Sequence, residues 1–471
     1  MVFSSLPFLC IFLPVVFLLH TLIRNTRIRN VILMAASVLF YAYGEPLYVL
    51  LLVGSVTVNY FLGRGLKNKS RLIMALGVTF NIGLLGVFKY SGFLVGEINR
   101  VLPEAWQLSV PQLALPIGIS FYTFQVLSYL VDVYRGDTEI QKNYISLLLY
   151  VSFFPQLIAG PIVKYHDVDK QIKFRTVTPK GISRGLIRFS VGLGKKVLIA
   201  NGMAVVTDTI FAMPAAGLGT LGAWMGAVGF LFHDYFDFSG YSDMAIGLGQ
   251  MFGFRFKENF NYPYISTSCS EYWRRWHISL NTWFREYLYF PLGGNRKGRA
   301  RTYFNLFMVF LLTGIWHGAA WTYIVWGLFQ GCFIILERLK LVPFVRNKIT
   351  GNIYTMLVML TGLIIFRSES LSYAGVMLKA FFGFGTMSGE TYALLTTYFS
   401  PYYIFLLVLS IFFSTPIFIR AWRRLRTKCA VSETRIAVFM AATMFCSLAI
   451  LVLSMMQLAT DSYNPFIYFR F

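Results

Sequence analysis

The residues best suited to proton chemistry are five histidines, since imidazole is the side chain that titrates near neutral pH without help. One of them, His317, lies in FLLTGIWHGAAWTYIVW over Phe310–Trp326, an otherwise apolar stretch. Burying an ionisable group among apolar residues is expensive, so such a residue is a functional-site hypothesis by default. The competing reading is a structural histidine whose nitrogens are satisfied by its neighbours. A second histidine, His277, closes the aromatic and basic run SEYWRRWH in the block Cys269–Arg299. His233 precedes Asp234 and Asp237 in HDYFDFSGYSD. That spacing suits either metal ligands or buried hydrogen-bonding groups at a helix break. With no second histidine and no HExxH alongside, the helix break is the expectation and no metal site is assigned. His20, at a span end, and His166, in a basic loop, are read as incidental.

Basic residues form the second chemical resource. Lys195, Lys196, Arg274, Arg275, Arg285, Arg296 and Lys297 flank the histidines in sequence. Arginine binds phosphate as a planar fork and lysine as a point charge, so these seven are the candidates for holding an anionic cofactor. Lipid headgroups and topology would account for many of the same charges. Trp273, Trp276 and Trp283 recur near helical spacing among the basic residues, the mixture an interfacial amphipathic helix carries. No Walker loop, GxGxxG, GxSxG or HExxH occurs in the chain, so phosphate cradles, dinucleotide folds and zinc proteases have no support.

The elements that must position these residues are membrane spans. Of 471 residues, 56% are hydrophobic, 18% aromatic and only 13% charged, against about 25% charged in a soluble domain. Such a chain cannot cover itself with a hydrated surface. The fold class is therefore all-α: a polytopic integral membrane protein with about 11–13 transmembrane helices plus re-entrant and interfacial helices, each crossing taking about 20 apolar residues. Expected spans cover 7–23, 31–44, 46–63, 72–95, 112–132, 183–211, 218–250, 302–316, 319–337, 351–366, 401–419 and 436–458. The apolar segment 144–160, basic at both flanks, is expected to dip in and return. From Thr302 to Glu337 the chain is about 54 Å long if helical. It is expected to turn near Gly314–Ala320 and hold His317 below the outer surface.

Lys and Arg number 42 against 20 Asp and Glu, a formal net charge of +22. The basic clusters fall between alternate spans, which points to positive-inside topology beside anionic lipid rather than to nucleic acid. Inside loops take 64–71, 135–142, 164–188, 255–301, 337–348 and 420–435, and both termini come out extracytoplasmic. The first charge, Arg24, follows the first apolar run, so that run is expected to stay as an anchor and not to be cleaved as a signal peptide. The cysteines Cys10, Cys269, Cys332, Cys429 and Cys446 are scattered, with no CxxC, and support neither a disulfide framework nor a thiolate zinc site. No internal repeat or linker divides the chain, which is read as a single domain over 1–471 with its motif-rich part at about 112–340.

Several stretches together resemble the membrane-bound O-acyltransferases, and within them the alginate O-acetylase branch. They are LPIGISFYTFQ from Leu115, SYLVDVYRG from Ser128, FFPQLIAGP from Phe153, DFSGYSD from Asp237, YWRRWHISL from Tyr272, WHG at 316–318 and the terminal NPFIYF from Asn464. The resemblance implies a multi-helix membrane enzyme with the WHG histidine, His317, at the reaction centre and His277 as the family's second histidine. It implies acetyl-CoA as donor substrate, with no permanently bound cofactor, and a bacterial cytoplasmic (inner) membrane location. The implied acceptor is an exported, alginate-like polysaccharide, reached directly or through a periplasmic acetyl-relay protein. Peptidoglycan, cellulose or teichoic acid remain alternative acceptors. A transporter or flippase of an acyl carrier would use similar spans, with His317 lining its pathway.

Overall fold

A computed structural model describes residues 1–460, 463 and 464. Among them every regular element is helical, and the sole extended pairing is an isolated antiparallel bridge between Leu218 and Met387. Helix starts follow local chemistry. Asn25, Ser70, Asn143, Ser268, Asn347, Ser370, Ser388 and Ser400 each accept a hydrogen bond from a backbone N–H of the first turn, satisfying donors that the helix cannot pair internally. The quoted sequence motifs lie in the described part, except that NPFIYF falls, after Asn464, outside the described residues.

By length and composition, five helices among the described residues can cross a membrane: Tyr48–Asn68, Arg71–Asn99, Pro179–Ala212, Lys348–Arg367 and Glu433–Thr460. A sixth crossing is available if Gly389–Tyr398 and Pro401–Phe413, bent by 66°, act as one span. Several other expected spans fall on helices that are short or carry polar residues inward. Phe8–Leu22 is a shorter apolar helix, while Gly298–His317 buries Thr302, Asn305 and Thr313. A helix packed against protein rather than lipid need not be apolar all round. The segment 144–160 forms helix Tyr144–Ser152, breaks at Phe153 and resumes briefly as Phe154–Leu157. Nine residues rise about 14 Å, too little for a crossing.

The chain groups into two compact units, Met1–Leu186 with Met244–Lys257, and Ile187–Asp243 with Glu258–Phe471. The first is held by an aromatic cluster in which Phe154 contacts Phe3, Phe8, Phe12, Phe40 and Phe252. Beside it the buried Arg175 donates to the Phe252 carbonyl and the Asn30 side chain. His166 is no bystander there: its Nδ1 lies 2.9 Å from the buried Asp132 carboxylate, which raises its pKa.

The second unit contains both motif histidines. Its long helix Gly219–Met251, which runs on into the first unit, is continuous over 33 residues. The break expected around His233–Asp243 is therefore absent. His233, Asp234 and Asp237 are instead buried on an intact helix. The close approach of its neighbour explains how. A Cβ on Gly240 would come within 2.7 Å of the Gly192 carbonyl, so glycine lets the backbones nearly touch. At that level the span Pro179–Ala212 widens into a π turn at Lys195–Ala200.

Candidate active site

His317 is the last residue of helix Gly298–His317, and Gly318, extended at φ −172°, leads by way of Ala320 into helix Trp321–Arg338. The expected turn is thus confined to 318–320. Gly314 belongs to the helix, where its role is packing: a Cβ there would sit 2.5 Å from the Tyr323 carbonyl. The two helices cross tightly at this point and bring the start of the second beside the end of the first. His317 is 6% exposed. Its ring meets Trp326 at 4.9 Å, Trp316 at 5.0 Å and Phe366 at 5.3 Å, all steeply tilted or edge-on. Edge-to-face contact is the favoured aromatic geometry, and three such walls restrict how the imidazole can turn.

His277 is placed by a different device. The expected amphipathic helix does not run through it. The chain makes helix Cys269–Arg275, then His277 adopts φ 42°, ψ 54°, then helix Ile278–Phe284 begins. A left-handed conformation is uncommon outside glycine and persists only where surroundings impose it. Asn259 imposes it from both backbone and side chain. The Asn259 carbonyl accepts from Ile278 N–H, and Asn259 Oδ1 accepts from the N–H and hydroxyl of Ser279. Because Asn259 Oδ1 is fixed as an acceptor, His277 Nδ1, 3.2 Å away, must carry the proton. Its Nε2 then presents a lone pair, and it has no hydrogen-bond partner among the described residues. The ring is 1% exposed, and burial pushes its pKa down to about 3, so it is neutral at physiological pH.

The surface helix expected from Trp273, Trp276 and Trp283 is replaced by two short helices, with Trp276 at the end of the first and Trp283 in the second. All three indoles are buried. Trp276 stacks on Tyr272 and Tyr264, and Trp273 meets Phe310 and Trp326 while donating to Gln330 Oε1. Tryptophan spacing alone could not distinguish lipid contact from packing against protein. The indole of Trp316 faces both histidines, 6.3 Å from the His277 ring and 5.0 Å from that of His317. The structure therefore gathers the two motif histidines around one tryptophan.

The seven basic candidates separate into two groups. Lys195 bonds Asp243 at 2.6 Å, and Lys196 is buried against Asp237 at 2.7 Å and Asn201 at 2.9 Å. Arg275 is held by Glu271 and the Asn261 carbonyl, and Glu271 is correspondingly acidic, with its pKa lowered by hydrogen bonds from Thr267 and Arg275 against the opposing effect of burial. These three charges are already answered within the protein. Arg274, Arg285, Arg296 and Lys297 are exposed, Arg285 with a long, solvent-facing contact of 3.9 Å to Glu286. The sequence does not single out Asn259, Trp326, Phe366 or Phe238, whose ring meets His277 edge-on at 4.7 Å, yet these residues position or wall the histidines. Asn259 lies eighteen residues from His277 in a stretch with no periodicity, and nothing in its local sequence marks it.

A family model described as the membrane-bound O-acyltransferase family matches residues 141–376, and so contains both histidines. The chain belongs to the membrane-bound O-acyltransferase family. It is an acyltransferase enzyme and a multi-pass membrane protein. A probable alginate O-acetylase of Pseudomonas putida is 42% identical over 505 residues, covering all of both chains. A peptidoglycan O-acetyltransferase of Helicobacter pylori is 36% identical across 82% of this chain and 81% of its own. A teichoic acid D-alanyltransferase of Bacillus subtilis is 30% identical over 53% of this chain and 69% of its own. As a membrane-bound O-acyltransferase, the chain places WHG and WRRWH within one compact unit.

Proposed function

We propose that the chain acts as one catalytic module of the bacterial inner membrane, moving acetyl from cytoplasmic acetyl-CoA to hydroxyls of an exported, alginate-like polysaccharide. Transfer is direct or passes through an extracytoplasmic relay protein. The observation that carries this reading is His317 at a helix end, enclosed by three aromatic walls, with the neutral His277 across Trp316. The full-length likeness to a probable alginate O-acetylase supports the acceptor class. The relative that is a peptidoglycan O-acetyltransferase makes peptidoglycan the second acceptor to test.

His317 accepts the proton of the attacking hydroxyl as its oxygen bonds to the thioester carbonyl carbon. When the carbon–sulfur bond breaks, the imidazolium returns that proton to the departing CoA thiolate, so no net proton is consumed. Helix Trp321–Arg338 starts from Ala320 without a side-chain cap, and the N–H groups of an initial helical turn are suited to a developing oxyanion. His277, with its proton held on Nδ1, offers a hydrogen-bond acceptor through Nε2, suited to an amide or hydroxyl of a substrate. Arg274, Arg285, Arg296 and Lys297 remain available for CoA phosphates.

Purified protein in detergent, given acetyl-CoA with oligouronate or with peptidoglycan fragments, tests the reading through thiol release and acetylated product. Wild type should release thiol with acetylated sugar, and His317→Ala should do neither while inserting normally. Near-wild-type transfer by His317→Ala would remove His317 as the base.

A further inference from the structure

One wall of the histidine enclosure is tied to an ion pair that the chemistry above does not use. Phe366, 5.3 Å from His317, also meets Trp326 at 4.9 Å and Tyr323 at 5.0 Å. The next residue, Arg367, ends helix Lys348–Arg367. Its Nη2 lies 2.6 Å from Asp208 Oδ1, and its guanidinium stacks 5.2 Å over the Phe211 ring. The other oxygen of the same carboxylate accepts a hydrogen bond from the Tyr463 hydroxyl. Tyr463 is held in turn by Asn201, which donates to its carbonyl. Both charged side chains are more than four-fifths buried. Ser368 continues the last helical turn, with N–H and hydroxyl both bonded to the Ile364 carbonyl. Phe366 and Arg367 therefore move together.

We propose that Asp208, Arg367 and Tyr463 form a positioning clamp for His317. The clamp fixes the end of helix Lys348–Arg367, which sets Phe366 edge-on to the imidazole and limits its rotation toward one approach to the acyl carbon. A mostly buried charge that loses its partner must seek water or a new counter-charge. Either response shifts the helix end and with it the aromatic wall. The clamp shares no residue with Arg274, Arg285, Arg296 and Lys297, the side chains assigned to the donor's phosphates, so it should bear on turnover and not on donor affinity. The proposal rests on His317 being the reaction centre.

The test is steady-state thiol release by the full-length protein in detergent, with kcat and acetyl-CoA KM measured separately. Arg367→Gln and Asp208→Asn should each lower kcat about ten- to a hundredfold, the scale expected when a reacting group is misplaced by about an ångström, with KM held within about twofold. The exchanged pair Asp208→Arg with Arg367→Asp should recover part of the lost kcat. Tyr463→Phe, which removes a single hydroxyl and preserves the ring, should lower kcat by a smaller factor. Unchanged kcat in the single variants overturns the clamp, as does a matching rise in KM without rescue by the exchange. If the charge variants fail to insert, Tyr463→Phe decides alone, and wild-type kcat there overturns it. His317→Ala run alongside separates the two claims: inactive His317→Ala with normal clamp variants rejects the clamp alone, whereas active His317→Ala rejects both.

Discussion

The burial of His277 makes a quantitative claim about stability. With its pKa pushed down to about 3 in the folded protein and about 6.5 in an unfolded chain, the imidazole is neutral in both states at pH 7.5. Between those values the unfolded state binds a proton that the folded state refuses, so stability falls as the pH is lowered from about 6.5 toward 3. At pH 5 the difference integrates to about 2 kcal/mol, and a folded value one unit higher would hardly change it. His277→Asn removes the titration, and asparagine tolerates the left-handed backbone better than most residues. Unfolding by sodium dodecyl sulfate in mixed micelles, followed by tryptophan fluorescence at pH 7.5 and pH 5, measures the effect. Wild type should lose about 2 kcal/mol more than His277→Asn between the two conditions. Using the difference cancels every other group that titrates over that range. Equal losses would mean that His277 protonates as freely in the folded protein as outside it, and its assignment as a neutral acceptor would be refuted.

Gly314→Ala should destabilise by about 1–3 kcal/mol, because its methyl would press on the Tyr323 carbonyl. Thermal inactivation in detergent should also show reduced turnover before unfolding, since the strained crossing lies one turn from His317. Neutralising the exposed Arg274 or Arg285 should raise the acetyl-CoA concentration for half-maximal transfer and weaken its salt dependence, as screened charge-assisted phosphate contacts require. Lys67→Gln is the control, and an equal effect there would assign these charges to membrane orientation. In a cysteine-free background, a cysteine at Arg296 should react with impermeant thiol reagents only from the cytoplasm and one at Glu104 only from outside. The reverse labelling would overturn the positive-inside assignment.

The helical, membrane-embedded character and both motif histidines were legible because they depend on composition and on contiguous runs. Hydropathy reports which residues leave water, but it cannot say whether lipid or protein receives them. Trp273, Trp276 and Trp283 illustrate this: their spacing fits an interfacial helix, yet tertiary packing buries all three. The same ambiguity made HDYFDFSGYSD look like a helix break, when Gly240 and the lysines of the facing span let the long helix carry its carboxylates unbroken. Asn259 and the Asp208–Arg367 pair escaped notice for another reason. Their partners lie 18 and 159 residues away, and no local pattern encodes a contact at that separation.

Both motif histidines stand at interruptions of regular backbone, His317 before the break at 318–320 and His277 at its left-handed residue. A membrane protein tolerates such interruptions where protein, not lipid, surrounds them, because exposed peptide groups would be left without partners. An uninterrupted helix has the opposite limitation: its internal N–H groups are all committed to its own carbonyls and cannot stabilise a reacting oxygen. Placing the imidazoles at helix ends resolves the conflict. In the proposed mechanism, the apolar walls of Trp316, Trp326 and Phe366 exclude water from the reacting atoms, and the adjoining helix Trp321–Arg338 contributes the positive N-terminal end of its dipole. Substitutions that extend helix Gly298–His317 through Gly318 should therefore impair acyl transfer more than equally conservative changes at mid-helix, even where His317 itself is untouched.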